Sequence, residues 1–559
     1  MIAVAGTGLF CLVLALLSYR LQGFSFGTDN NIFHIPIVLR WFDLPQFSDD
    51  IFIQSLRDYA TPVYPFLSLF ADEKNIATIF FIGFFVTRAL TIYALLRIMR
   101  ACGLQGVRLL AAAAAIVLTS AVYGETAIGR DELFVDIFTH TALAQAIALL
   151  GVASLIRGNL TGAAIAAAIA FDLNVMVGVW ALAPVALTAL TRLATAPSKN
   201  VRQILWAAAA FTMISLPVLA WIAATQSFGA PAFDYRDFLI GYYPYHFFIG
   251  WARWPDRIAF ALQLLSGAVA ITLLPRNRGG VALVLGGFVL VFLAGMAVGQ
   301  LSHSRFFLNL HLLRVDGLVT WLVVSVVASA AFSAFSTTRT VPAIGGIAAI
   351  TGLIANDWRM VLAGLVLLAT VRSIAGKAGR KLPDTPSMKP AALVIAAATF
   401  LYAACTHGAY SQAPAPPSPR DIPSDQQLLG AWPAASQWLQ VTQWVRANTR
   451  SDAMFLIPPK LDFVAAAERR SWVGWKEGAA AMWSPGIYSF WRTRTDEVAA
   501  LHGISATLTY ACQHKIDYVV LDKRPGRALP GVDAITHTAF SNRWFAVVPA
   551  SGCPKPPPV

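Results

Sequence analysis

Two stretches of this chain gather carboxylates in a sequence otherwise rich in apolar residues. The first runs Gly27-Thr28-Asp29-Asn30-Asn31-Ile32-Phe33-His34 and resumes, after an apolar interval, at Ser48-Asp49-Asp50-Ile51-Phe52. The second sets Glu125, Asp131, Glu132 and Asp136 around Arg130. Clustered carboxylates hold a divalent cation such as Mg or Mn through hard oxygen ligands, or take a proton from a hydroxyl or amide as a general base. Asp29, Asp49 and Asp50 are the candidates for catalysis, and Asp29 with Asp49 is the pair to which a metal is assigned. Asp131, Glu132 and His34, one helical turn after Asn30, are candidates for binding substrate. Each acid also has a plainer reading as a turn former or helix cap, as Ser48-Asp49-Asp50 ahead of Ile51 illustrates.

The basic partners are dispersed. Arg88 lies within an apolar stretch, Arg236, His246, Arg305 and Arg314 lie in later loops, and Lys476 and Arg492 come near the end. A guanidinium meets phosphate oxygens two at a time, and a buried one must find a partner or a cavity, so these residues suit a phosphate-linked substrate. Near the end of the chain Arg469, Arg470, Lys476, Arg492 and Arg494 alternate with Trp472, Trp475, Trp483 and Trp491. That composition suits a lipid phosphate, an acidic glycan or simple docking on membrane headgroups. The sequence has no CxxC pair, HExxH, P-loop or GxSxG, which leaves zinc hydrolase, ATPase and serine hydrolase chemistry without a motif.

The elements that must position these residues are membrane helices. With 57% hydrophobic and 13% charged residues and a mean hydropathy of +0.61, the chain is too apolar for an ordinary soluble surface. Apolar segments at 2–18, 76–96, 109–122, 141–156, 160–171, 175–190, 204–224, 258–274, 281–298, 318–335, 341–355, 360–371 and 391–405 give roughly thirteen spans or re-entrant helices by the length criterion. The weakest division falls at Asp172-Leu173-Asn174. The net charge of +13 comes from clusters such as Arg97, Arg100 and Arg108, or Arg192, Lys199 and Arg202, between these segments. Under strict alternation the clusters share one side, which puts the N-terminus in the cytoplasm and makes nucleic acid an improbable partner. The expected fold is an α-helical polytopic membrane domain over 1–408, with a long first outer loop at 19–75. A Pro-rich linker follows at 409–423, then a small extracytoplasmic α/β domain at 424–559. In that domain a helix is expected over 426–447 and strands at 453–457, 471–474, 518–521 and 544–548. Cys512 and Cys553 both fall there, and an oxidising compartment permits their pairing.

This layout resembles the GT-C superfamily of membrane glycosyltransferases, through its topology over 1–405 and through Asp29. In that superfamily an acid shortly after the first transmembrane helix, followed by an amphipathic helix in a long first outer loop, carries the catalytic or metal-binding role. Here Asp29-Asn30-Asn31-Ile32-Phe33-His34 stands in that place, with Asp49-Asp50 closing the stretch behind it. Asn30 stands where many members have a second acid, and the tail has no Trp-Trp-Asp type motif. The tail is also similar to that of uncharacterised bacterial multi-pass proteins, in Trp444 to Thr449 and Arg470 to Lys476, a resemblance that implies no activity. The GT-C resemblance implies sugar transfer from a polyprenyl-phosphate donor to an envelope glycan, lipid or protein acceptor at the outer face of a bacterial inner membrane. A transporter or flippase of lipid-linked glycans, or an envelope scaffold, are the alternatives.

Overall fold

Away from water every backbone N–H and C=O must be satisfied within its own segment, so the apolar stretches become helices. The computed structural model describes residues 2–225, 231–335, 340–377, 433–459, 461–524, 526–532 and 537–550. Its first helix, α1 (Ile2–Gln22), is followed by three short ones in the first long loop, α2 (Asn31–Val38), α3 (Ile51–Ser55) and α4 (Val63–Leu67). The bundle continues with α5 (Ile76–Ala101), α6 (Gly106–Leu118), α7 (His140–Ile156), α8 (Leu160–Leu173), α9 (Val175–Thr195) and α10 (Pro197–Thr225). After the short α11 (Tyr235–Tyr242) come α12 (Trp254–Leu273), α13 (Arg278–Leu301), the one-turn α14 (Arg305–Leu308), α15 (Asp316–Ala334), α16 (Thr340–Ile354) and α17 (Trp358–Lys377). Each of the first twelve apolar segments is thus a helix, while the segment at 391–405 and the linker at 409–423 lie outside the described residues. The weak division is real, because Asn174 Oδ1 accepts the N–H groups of Met176 and Val177 and so caps a new helix.

Among the described residues six helical stretches are long and apolar enough to cross a membrane, with shorter apolar helices beside them. Packing bears this out. α10 buries only Ala207, Ser215 and Val218 and leaves Leu205, Trp206, Met213 and Leu216 exposed, a face that needs lipid. α15 is the opposite case, buried along its whole length against α5, α6, α12, α13, α16 and α17. Its Thr320, Ser325 and Ser329 hydroxyls donate to carbonyls one turn back, so a core helix rich in small residues carries no stranded hydroxyl there. Close helix approach is set elsewhere by glycine: a Cβ at Gly287 would collide with the Pro184 backbone. The chain is an α-helical multi-pass membrane protein with a small mixed-sheet domain at its end.

That domain begins with α18 (Pro433–Asn448) and includes α19 (Val464–Ala467), α20 (Ile487–Ala499) and α21 (Ile504–Gln513). Its strands are β1 (Met454–Leu456), β2 (Arg470–Ser471), β3 (Tyr518–Asp522), β4 (Phe540–Ser541) and β5 (Phe545–Pro549), in the order β2-β1-β3-β5-β4. β1 runs parallel to β2 and β3, whereas β5 is antiparallel to β3 and β4. Alternation along β3 sends Val520 to the α18 face, with Trp438 and Val441, and Val519 and Leu521 to the α21 face, with Ala511. Cys512 on α21 is disulfide-bonded, and its expected partner Cys553 lies outside the described residues. A 3-10 helix at Lys476–Met482 leaves this sheet and packs, through Ala480 and Ala481, among the apolar side chains of α2, α3 and α11.

Candidate active site

Asp29 sits on the turn between α1 and α2 in the left-handed backbone region, φ +50°, which Asp tolerates better than most L residues. Its N–H donates to Asp462 Oδ2 at 2.7 Å, and its carboxylate forms an ion pair with Lys476 Nζ. Both partners belong to the mixed-sheet domain. The 3-10 helix that carries Lys476 is fixed at each end. Tyr242 donates its hydroxyl to the Lys476 carbonyl at 3.0 Å, while the carbonyl of Met482 accepts from Arg305 Nη2 at 3.1 Å and from Asn309 Nδ2 at 2.8 Å. The Met482 carbonyl, at the C-terminal end, is among the acceptors that a helix end leaves unsatisfied, which explains why Arg305 and Asn309 of the bundle are drawn to it. Trp483 Nε1 then donates to the Ser55 carbonyl at 3.1 Å.

The electrostatics of this seam are uneven. Desolvation draws the Lys476 ammonium down to about 7, although the carboxylate in contact with it works the other way, and pushes the Asp462 carboxyl up to about 7. The Asp29 side chain remains 42% exposed and that of Lys476 26%, so the pair faces an accessible space. An ammonium has three N–H donors, and one carboxylate does not exhaust them.

A second cluster forms around Arg314, just before α15. Its Nε donates to Asp131 Oδ1 at 3.1 Å and its Nη2 makes a shorter contact with the same oxygen, while Gln145 Nε2 donates to the other oxygen. The Asp131 side chain is 1% exposed and that of Arg314 20%. Glu132 next door is pushed up to about 8, first by burial and then by Asp136, Glu125 and Asp131. His246 donates its Nδ1–H to the Gly129 carbonyl at 2.6 Å, which leaves Nε2 as the acceptor of a neutral ring, and burial with Arg314 nearby keeps it neutral. Arg130 lies over the Tyr245 ring at 3.7 Å. An aromatic cluster packs on the same part of the domain: Trp483 meets Tyr59 at 4.9 Å and Phe33 at 5.4 Å, and Tyr59 meets His140 at 5.6 Å.

A family model described as a domain of unknown function, DUF6798, matches residues 436–498, the part of the mixed-sheet domain that contains Asp462 and Lys476. No curated protein matches. Among solved structures the chain is similar to the crystal structure of ArnT from Cupriavidus metallidurans bound to undecaprenyl phosphate, with 12% identity, 98% of each chain covered and a TM-score of 0.44.

Several residues expected at the site stand elsewhere. Asp49 does not join Asp29. It lies exposed at the mouth of a separate cleft between the first loop and the domain, which Asp50, Glu477, Trp472 and Arg494 also line. Asp50 caps α3 by accepting the Ile53 N–H at 3.0 Å, and burial raises its carboxyl to about 6. The set named for a divalent cation therefore does not fit one: Asp29 already faces an ammonium, and among the described residues no group of three or more His, Cys, Asp or Glu side chains is placed to hold a metal. Arg88 is buried and fully engaged, donating to Ser18, to Gln22 and to the Val135 carbonyl between the rings of Phe84 and Phe134; it ties α1, α5 and the 123–139 loop together. Arg305 holds the mixed-sheet domain, as above. Arg236 donates to the Gln300 carbonyl at the end of α13, and Arg492 pairs with Asp496 one turn along α20. His34 is buried with its ring stacked on Tyr64 at 4.2 Å and neither ring nitrogen bonded. Asp131, Glu132, His246 and Arg314 do come together. Sequence reasoning missed Asp462, whose only neighbours in the chain are core residues, and Tyr59 and His140, which carry no motif.

Proposed function

We propose that this chain is a glycosyltransferase that takes its sugar from a polyprenyl-phosphate donor, with Asp29 as general base and Lys476 as the cation that meets the donor phosphate. The observation that carries the reading is the Asp29–Lys476 pair: an accessible acid and an ammonium in contact, on the face of the helical bundle that carries the mixed-sheet domain. In the reaction the acceptor hydroxyl or amine gives its proton to the Asp29 carboxylate as its oxygen or nitrogen attacks the anomeric carbon. The bond from that carbon to the phosphate oxygen breaks, and the leaving polyprenyl phosphate keeps the electron pair. Lys476 offsets the charge that grows on it. An ammonium drawn down by desolvation is one that an arriving phosphate restores. Inversion at carbon follows from a single displacement. The acceptor is an envelope glycan, lipid or protein, and the loop charges favour the outer face of a bacterial inner membrane.

The test is sugar transfer from a panel of polyprenyl-phosphate sugars by the purified protein and by Asp29→Asn and Lys476→Met. Transfer by the wild type that falls on the order of 100-fold or more in both variants, while donor binding weakens chiefly in Lys476→Met, supports the assignment. Equal rates in Asp29→Asn and wild type remove Asp29 from the chemistry, and no transfer from any donor overturns the reading.

A further inference from the structure

Asp462 takes no part in the proton or phosphate steps above, yet it is the domain residue that reaches the backbone of the proposed base. It stands between Leu461 and Phe463, both buried in the α18-side core of the domain. Trp438 Nε1 donates to its carbonyl at 2.9 Å, so its main chain is fixed. From there Oδ2 accepts the Asp29 N–H at 2.7 Å. On the other side of the same turn, the Gly27 N–H donates to Asn31 Oδ1 at 3.2 Å and Asn31 Nδ2 reaches the Phe138 carbonyl. A left-handed backbone costs an L residue energy, and the hydrogen bond from the Asp29 N–H to Asp462 Oδ2 holds the turn there.

We infer that Asp462 is the positioning residue of Asp29: it fixes the left-handed turn from which the Asp29 carboxylate meets Lys476. The mixed-sheet domain then grips the base at its amide through Asp462 and at its carboxylate through Lys476, and the membrane-side half of the site is incomplete without it. The catalytic consequence rests on Asp29 being the base; the grip itself does not.

The experiment compares full-length wild type with Asp462→Ala, Asp462→Ser and Asp462→Asn in detergent. Amide exchange at Asp29 is read by mass spectrometry and transfer by the donor assay. Asn keeps an acceptor oxygen at the same reach, whereas Ala has none and Ser is too short. Expected are exchange at Asp29 faster by on the order of tenfold in Ala and Ser, a kcat lower by on the order of 10- to 100-fold with donor KM within about twofold, and recovery of both by Asn. Unchanged exchange in Ala and Ser overturns the grip. Faster exchange with unchanged kcat overturns the positioning role. Loss in Asn as deep as in Ala also overturns it, because the accepting oxygen would not be what matters. Absence of transfer by wild type strikes the function proposed above, and the exchange result still decides the grip.

Discussion

Replacing Arg314 by Met should destabilise the protein far more than replacing Arg314 and Asp131 together. The two guanidinium nitrogens on one oxygen and Gln145 on the other account for both oxygens of a side chain that is 1% exposed. Arg314→Met alone leaves the Asp131 charge buried beside Glu132, whose carboxyl it helps push up, a situation worth about 3–5 kcal/mol against folding. Asp131→Asn alone strands the guanidinium, but Arg314 is 20% exposed and can reach water, so the lower end of that range applies. The double variant Asp131→Asn, Arg314→Met removes both charges, and replacing a whole buried pair by uncharged groups is close to neutral, about 0–2 kcal/mol. A coupling of at least about 4 kcal/mol should therefore emerge from the cycle. Unfolding of the four proteins in mixed micelles, followed by tryptophan fluorescence, measures it. Single variants each costing under about 1 kcal/mol, or a double variant costing their sum, would refute the description of this pair as buried and mutually dependent.

Gly129→Ala should destabilise by about 1–3 kcal/mol and impair transfer, because the new Cβ would lie 2.6 Å from the Leu313 carbonyl oxygen and 2.7 Å from Arg314 Cα; thermal unfolding and turnover measured together check this. Glu132 is held above its ordinary value of 4.5, at about 8, so the folded protein binds a proton that the unfolded chain gives up between those limits. Its contribution falls as pH rises from about 4.5 to about 8. Glu132→Gln should flatten that decline, raising the unfolding temperature at pH 8 and leaving it unchanged at pH 4, and an unaltered pH profile would contradict the assignment. Chelation of divalent cations should leave transfer unaltered, since the Asp29 carboxylate is matched by Lys476 and Asp49 lies in another cleft; loss of turnover in EDTA that Mg or Mn restores would show the reverse.

Helix positions were legible because lipid imposes one rule, apolar length, and the rule acts on each segment by itself. Even the doubtful break at Asp172-Leu173-Asn174 is explained by a local device, the Asn174 cap. The domain's strands β1, β3 and β5 were legible from alternation; the strand expected over 471–474 is instead the two-residue β2 at Arg470–Ser471, and β4, also two residues, is too short to show any pattern. The site was harder, because its geometry depends on contacts across hundreds of residues. Asp29 and Lys476 were both singled out, yet nothing in either neighbourhood joins them, and Asp462 is invisible between two core residues. The arginines mislead for a related reason. A guanidinium satisfies backbone carbonyls as readily as phosphates, and Arg88, Arg236 and Arg305 all do so. Arg314 differs in keeping company with carboxylates and histidines, a distinction visible only when the 123–139 loop is folded against the start of α15.

The way the mixed-sheet domain is attached bears on the proposed site. Its 3-10 helix ends on carbonyls that Arg305 and Asn309 satisfy, and it begins on a carbonyl that Tyr242 satisfies. Separating the domain from the bundle would leave Arg305, which is buried, without those acceptors and would expose Ala480, Ala481 and Trp491 to water. Docking is thus favoured at three loops at once, and Asp29 acquires its ammonium only in the docked state. The carboxylate in the loop and the cation in the domain are far apart in sequence, so under the proposed function the site is complete only in the assembled protein. A protein built this way should lose transfer on loosening of the clamp even when Asp29 and Lys476 are untouched. Asn309→Ala, which removes one donor from the Met482 carbonyl and the acceptor of the Tyr235 hydroxyl but touches neither residue of the pair, should lower turnover severalfold, with an unfolding cost of about 1–3 kcal/mol from the stranded hydroxyl.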